Sequence, residues 1–170
     1  MSSPMIHVAP FKRLPVPFSK TPLPNLTPAL PLEVLRAEVE LRLIRKDDTP
    51  TDEQVAFRID TGADITQLSL EKAQHRWKVK VGVDSGYVER TTASQRDWVK
   101  VFHGSIRVLF PGCDEPFELR CLFIEGLPDK VPPLLGLHST LDFVRIRFDK
   151  TALPNAPNGA AIFERYEAPT

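Results

Sequence analysis

The chain has 170 residues, and its 22 Lys+Arg are balanced by 22 Asp+Glu, which gives a formal net charge of zero. Hydrophobic residues make up 42% of the chain and charged residues 26%, as in ordinary globular domains, so disordered and fibrous classes are excluded. The lack of a basic surplus argues against nucleic acid as a partner, and no apolar run is long enough to cross a membrane. With only Cys113 and Cys121 and no secretory signal, the sequence predicts a cytoplasmic protein.

Proline is concentrated at the start of the chain, where eight of the 17 prolines lie within residues 1–31. Because proline fixes φ and removes a backbone donor, neither a helix nor a central strand is expected there. Residues 1–34 are therefore predicted to form an extended arm. Its interleaved apolar side chains leave three roles open: a pro-segment, a strap on a dimer partner, or a disordered tail.

The pattern changes at Leu35, and residues 35–150 are predicted to form one small, mainly β, barrel-like domain. Alternating apolar and charged side chains, or short apolar runs between turn residues, predict strands at 35–43, 55–59, 77–83, 87–92, 98–110, 117–124 and 144–148.

Helix is expected to be scarce. At most one short amphipathic helix is predicted within 66–77, and a second short helix over 138–143. The remaining residues, 151–170, are predicted to form a tail in which 160–166 is a candidate last strand.

A carboxylate follows the apolar strand at 55–59 directly, in the sequence Asp60-Thr61-Gly62. At the end of such a strand a carboxylate is partly desolvated, and it can hold or release a proton near the working pH. A Thr can hydrogen-bond to a neighbouring loop, and a Gly lets the backbone approach closely enough to donate to the carboxylate. The triplet is also an ordinary turn sequence, so by itself it is a weak sign of catalysis.

Together with the residues on either side of it, this triplet resembles the active-site loop of retropepsin-like aspartic proteases. That family has apolar residues before Asp-Thr/Ser-Gly-Ala and a Thr or Ser a few positions later, which the run from Ile59 to Thr66 matches. Its second motif, two apolar residues and a Gly before a short helix, matches Leu134-Leu135-Gly136. The resemblance covers about residues 35–150 and implies a retropepsin-like acid protease barrel with one short C-terminal helix.

The resemblance implies an aspartic endopeptidase that uses neither a metal nor another cofactor. Its chemistry needs two carboxylates that share a proton, because like charges ~3 Å apart cannot both ionise. This chain has one Asp-Thr-Gly, so the second aspartate must come from a second copy. A homodimer with Asp60 of both copies at its two-fold axis is therefore predicted, and a monomer should be inactive.

The resemblance also implies roles around the Asp60 pair. Thr61 would join the two active-site loops across the dimer, and Gly62 would offer its backbone to a protein or peptide substrate. A hairpin flap is expected over about 87–101. Further substrate-binding residues are predicted beside the first motif, in the second motif and in the flap: Ala63, Asp64, Leu135, Gly136, Thr92, Ala93 and Ser94.

Two features depart from the family pattern. Leu137 stands where many viral members have an Arg that pairs with the equivalent of Asp64, and segment 91–98 lacks the glycines of the viral flap. These departures leave a second function open, a catalytically inactive relative that keeps the fold as a dimerisation or peptide-binding module. The intact Asp60 favours the enzyme, since a scaffold would not require an acid at that position. The four scattered histidines lack the spacing of a metal site.

Overall fold

The computed structural model describes residues 13–22, 33–91, 96–151 and 153–166. Strands dominate these ranges, which confirms the predicted mainly β class. They are β1 (Arg13–Pro17), β2 (Ser19–Pro22), β3 (Glu33–Arg36), β4 (Glu38–Leu43), β5 (Val55–Ile59), β6 (Thr66–Ser69), β7 (Val83–Thr91), β8 (Arg96–Leu109), β9 (Phe117–Ile124), β10 (Leu134–Leu135), β11 (Val144–Asp149) and β12 (Ala160–Arg165).

Six of these strands close into a barrel in the order β4-β5-β10-β6-β9-β8. The β5–β10 and β6–β9 pairs are parallel and the other pairs are antiparallel. The ring closes where β8 returns to β4, through the pairs Arg42↔Leu109 and Leu43↔Val108. Alternate side chains of β4 point into the barrel: Val39, Leu41 and Leu43 are at most 2% exposed. This is the period-two burial that the sequence pattern predicts.

A hairpin extends from the barrel where β7 pairs with the first half of β8. The pairing runs from Val83↔His103 to Thr91↔Arg96, with a register shift between Asp84 and Tyr87. A hairpin is thus found where the flap was predicted, although residues 92–95 between its strands lie outside the described residues.

A second sheet, in the order β1-β12-β11, packs beside the barrel and uses residues from the predicted arm and tail. β1 lies at the edge of this sheet, where proline is tolerated because only one side of the strand makes a ladder. Val16 of β1 is 6% exposed and belongs to the same core cluster as Phe163 of β12. β2 pairs with β3 as a separate two-stranded unit.

Four local predictions change. The single strand predicted over 35–43 is divided at Ala37 into β3 and β4, which belong to different sheets. Residues 78–82 form no strand, although a strand was predicted over 77–83. Lys78 has a φ of 53°, and the Val79 N–H donates to the Ala73 carbonyl at 2.9 Å, so this segment closes a helical turn instead of extending a sheet.

The two predicted helices are both shortened. Within 66–77 the chain first forms β6 and then a single π-helical turn, Lys72–Arg76. The helix predicted over 138–143 is one 3₁₀ turn, Thr140–Asp142. Among the described residues, no helix is long and apolar enough to cross a membrane.

Candidate active site

Asp60 is the first residue after β5, and its carboxylate is held by its own loop. The Gly62 N–H donates to Asp60 Oδ1 at 2.9 Å. A Cβ added to Gly62 would lie 3.3 Å from that same oxygen, closer than most such contacts, so a glycine suits this approach. Asp60 is half-buried, while Thr61 and Gly62 are exposed. The motif therefore presents an oriented carboxylate at the protein surface.

The second motif lies directly beside the first, because β10 runs parallel to β5. The Arg58 N–H donates to the Pro133 carbonyl at 2.8 Å, and the Asp60 N–H donates to the Leu135 carbonyl at 3.3 Å. Pairing with β10 thus extends as far as Asp60 itself. The second motif therefore determines where the loop that carries Asp60 leaves the barrel.

Gly136 allows the two motif loops to touch through their backbones. A Cβ at this position would lie 2.3 Å from the carbonyl carbon of Ile65 and 2.5 Å from the nitrogen of Thr66. Real side chains do not make such contacts with backbone atoms, so only glycine fits here.

Two buried hydroxyls anchor Gly136 in this position. The Gly136 N–H donates to Thr66 Oγ1 at 3.1 Å, and Thr140 Oγ1 donates to the Gly136 carbonyl at 2.8 Å. Both threonines are at most 2% exposed. The sequence did not assign Thr140 to the site. Its spacing is the one available signal, since a Thr hydroxyl commonly bonds the carbonyl four residues earlier.

The chain after Gly136 is tied to the chain after Gly62. The Leu137 N–H donates to the Ala63 carbonyl at 3.0 Å, and the His138 N–H donates to the Asp64 carbonyl at 2.8 Å. Backbone bonds therefore join the loops at Leu137, where many viral proteases have a charged side chain.

The predicted site residues fall into three groups. Asp60, Thr61, Gly62 and Asp64 lie together on one loop, with Asp64 exposed. Ala63, on the same loop, and Leu135 and Gly136 of the second motif are buried within this single chain. Thr92, Ala93 and Ser94 lie outside the described residues.

Neither cysteine is placed to act as a nucleophile. Cys121 lies on β9 opposite Thr66 of β6 and is fully buried, and its burial raises the pKa of the thiol well above its ordinary value. Burial also raises the pKa of Cys113. Among the described residues, no group of three or more His, Cys, Asp or Glu side chains is placed to hold a metal ion.

Searches with protein-family models and against curated proteins find no match for this chain. Among solved structures, the chain is similar to a retropepsin-like aspartic protease from Rickettsia conorii, with 20% identity and a TM-score of 0.40, over 76% of this chain and 92% of that one. It is also similar to EIAV protease complexed with an inhibitor, with 20% identity and a TM-score of 0.37, over 65% of this chain and 88% of that one. Both neighbours are proteases, and the first bears the name of the family that the sequence motifs resemble.

Proposed function

We propose that the protein is an aspartic endopeptidase, active as a homodimer in which Asp60 of each copy forms one catalytic dyad. One observation carries this proposal: the Gly62 N–H donates to the Asp60 carboxylate at 2.9 Å, in a surface loop that is hydrogen-bonded to the chain after Gly136. An oriented, half-buried acid is the element that acid–base hydrolysis requires.

A single copy supplies only half of the chemistry. Within the described residues, the bond from Gly62 is the one hydrogen bond to the Asp60 carboxylate, and the neighbouring Thr61 and Gly62 are exposed. A second copy related by a two-fold axis would bring an identical carboxylate against this exposed loop. Two such carboxylates at about 3 Å share one proton, so one member is a base while the other is an acid.

The proposed reaction is hydrolysis of a peptide bond without a covalent enzyme intermediate. The ionised Asp60 takes a proton from a bound water, and the water oxygen bonds to the carbonyl carbon of the substrate. The protonated Asp60 of the other copy donates to the carbonyl oxygen and stabilises the tetrahedral intermediate. The first Asp60 gives the proton it took from water to the nitrogen and the C–N bond breaks, while the second Asp60 recovers a proton from a hydroxyl of the intermediate, which leaves a carboxylic acid and an amine.

The other predicted residues take supporting roles in this proposal. Thr61 joins the two loops across the dimer, and Gly62 and Asp64 meet the main chain of an extended peptide. Ala63, Leu135 and Gly136 form the base on which this binding surface rests. Thr92, Ala93 and Ser94, which follow β7 in the sequence, contact the bound peptide.

The test is cleavage of a complex peptide mixture, read by mass spectrometry, for the wild type and for Asp60→Asn. The variant keeps the shape of the side chain and an oxygen that can accept from Gly62, but it cannot share a proton. We expect its cleavage rate to fall at least about a thousandfold, within the range for losing an acid–base catalyst. The matched control is Asp114→Asn, which removes an exposed carboxylate from the turn before β9 and should cleave like the wild type.

The same measurements test the alternative function, a catalytically inactive peptide-binding module. If the wild type does not cleave but binds peptides, and Asp60→Asn binds them equally well, the protein is a peptide-binding module. If Asp60→Asn cleaves at the wild-type rate, the aspartic protease proposal is wrong.

A further inference from the structure

The side chain of Arg58 lies on the same face of the barrel as Asp60. Both residues donate their backbone N–H groups to the segment 133–135. The N–H of Ile59, between them, donates in the opposite direction, to the Ala37 carbonyl at 2.9 Å. Successive side chains of such an extended segment point to opposite faces, and Ile59 packs against the core cluster. Arg58 and Asp60 therefore both face outward, with Arg58 one alternation before the proposed catalytic carboxylate.

The strands on either side of β5 extend this face into a row of side chains. Arg58 pairs with Glu38 of β4 and with Leu134 of β10. Leu134 pairs in turn with Gln67 of β6. Directly paired residues of a ladder present their side chains on the same face of the sheet. A charged pair and an amide thus belong to the surface beside Asp60, and Arg58 is the member of the row on the same strand as the acid.

The guanidinium of Arg58 is incompletely bonded. Its Nη2 lies 3.3 Å from Glu38 Oε1, which is long for an ion pair, and the two side chains are 27% and 41% exposed. Its Nε is buried and has no hydrogen-bond acceptor among the residues that the structure describes. A buried donor without an acceptor is unfavourable, so a group that accepts from this guanidinium gains stability from it.

We propose that Arg58 selects substrates that carry an acidic side chain next to the scissile bond. The inference rests on the proposed function, and it names the substrate class of that same site. An extended peptide that is attacked at Asp60 lays an adjoining side chain on the face that Arg58 shares with Asp60. A carboxylate on that side chain matches the planar guanidinium, because its two oxygens can accept from Nε and from one Nη at once.

Binding of this kind requires the Arg58 side chain to turn towards the substrate. Because Nε bonds none of the described residues, only the 3.3 Å contact with Glu38 is weakened when it turns. Glu38 lies on the neighbouring strand, and it is a positioning residue that holds the guanidinium near the site before the substrate arrives. In a symmetric dimer each copy contributes its own Arg58, so the preference applies on both sides of the scissile bond.

The test compares two fluorescein-labelled pools of random octapeptides that differ at one central position, fixed as Glu in one pool and as Gln in the other. Cleavage is followed by mass spectrometry at about pH 6, where a Glu side chain is ionised. We expect the wild type to cleave beside the fixed Glu about tenfold or more faster than beside the fixed Gln, the effect of hydrogen bonds to a charged group. In Arg58→Met, which keeps an unbranched side chain without the charge, this preference should disappear.

Two further variants separate charge recognition from a structural effect. Arg58→Lys keeps the charge but not the planar fork, so it should retain part of the preference. Arg107→Met removes another ion-paired arginine, whose partner is Asp48, and should cleave like the wild type. The Arg107 carbonyl accepts from the Ile44 N–H at 2.9 Å, and Ile44 is six residues beyond Glu38, or about 20 Å along an extended chain. Circular dichroism checks that Arg58→Met is folded, and Arg58→Gln replaces it if it is not.

The outcomes also separate this inference from the proposed enzyme activity. If cleavage depends on Asp60 but shows no preference for Glu, or if the preference survives in folded Arg58→Met, the inference is wrong and the enzyme proposal stands. If the wild type cleaves neither pool, fluorescence anisotropy measures binding of the same pools. Binding of the Glu pool that is about tenfold tighter and depends on Arg58 supports the acidic-peptide site without the enzyme. Equal binding of both pools overturns it.

Discussion

At the scale of single residues, Gly136 determines how closely the two motif loops can approach. Its neighbours within 3 Å of an added Cβ are backbone atoms of Ile65 and Thr66, which cannot rotate away as a side chain could. The same glycine is also bonded at both its N–H and its carbonyl. A substitution here must therefore move backbone or break buried hydrogen bonds.

We expect Gly136→Ala to destabilise the fold by ~3 kcal/mol, the upper part of the usual range for overpacking. For a chain of this size this corresponds to a fall in Tm of about 6–12 °C. Thermal unfolding followed by circular dichroism measures the change. A variant that melts like the wild type would show that the loops are not in backbone contact.

The control for this variant is Gly112→Ala. Gly112 has a φ of 74°, which is unfavourable for alanine, but no atom lies within 4 Å of an added Cβ. Replacing Gly112 therefore strains the backbone conformation without creating a steric clash. We expect a loss of about 1 kcal/mol for this change. Gly136 does not have a positive φ, so a loss for Gly136→Ala that exceeds the loss for Gly112→Ala reports the close backbone approach and not a conformational cost.

At the residue scale, the sequence could predict what is local. Asp60 and Gly62 are two positions apart, so the hydrogen bond from the Gly62 N–H to the Asp60 carboxylate could be expected from the sequence. Thr140 could not be assigned in this way, because its hydroxyl matters only through the fold that buries it against Gly136.

At the scale of elements, a charged bridge joins the segment before β5 to the π-helical turn. Arg76 binds both carboxylate oxygens of Glu53, with Nε–Oε1 and Nη2–Oε2 distances of 2.8 and 2.7 Å. Trp77 Nε1 donates to Glu53 Oε1 at 3.0 Å. The hydrogen bonds from the Arg76 guanidinium are the main reason that the pKa of Glu53 lies below its ordinary value of 4.5.

This bridge predicts a pH-dependent contribution to stability. Because the pKa of Glu53 is lowered in the folded state, its stabilising effect is present above pH 4.5 and is lost as the pH falls through the lowered value. Glu53→Gln should therefore be less stable than the wild type at about pH 7, and the difference should shrink as the pH falls below 4.5 and through the lowered pKa. The loss is expected to be small, because both partners are well exposed to solvent.

Urea unfolding of both proteins across this pH range measures the difference in the free energy of unfolding. The matched control is Glu40→Gln, which removes an exposed carboxylate from β4 and leaves the bridge intact. A stability difference for Glu53→Gln that stays constant with pH would contradict the assignment.

Elements with a clear local period could be predicted from the sequence, and those defined by distant partners could not. β4 alternates in sequence and in burial, and the β7–β8 hairpin was placed correctly. Residues 77–83 also alternate, since Trp77 and Val79 are buried, but here the burial comes from a turn with a left-handed residue, Lys78. Burial alternation alone does not reveal whether a segment has a partner strand.

At the scale of the whole molecule, the proposed dyad makes activity depend on the concentration of the chain. Well below the dimer Kd, the active fraction is proportional to the concentration of the chain, so the cleavage rate should rise with its second power. Well above the Kd the rate should rise in simple proportion.

Initial rates of peptide cleavage over a dilution series measure this dependence. A rate proportional to the concentration across the whole series, with sedimentation showing a monomer, would mean that one chain carries a complete site and that the dyad proposal is wrong.

The pairing of β1 with β12 also has a consequence for how the protein is made. Arg13 pairs with Glu164, and Pro17 pairs with Ala160, so the first described strand finds its partner only in the last one. During synthesis on the ribosome, residues 13–17 leave the exit tunnel long before 160–165 exist. Such distant contacts form slowly, because a long loop must close before they contribute any stability. The barrel can therefore assemble first, with Val16 and its neighbours left uncovered, and a growing chain buries them only after residues 160–165 have been made.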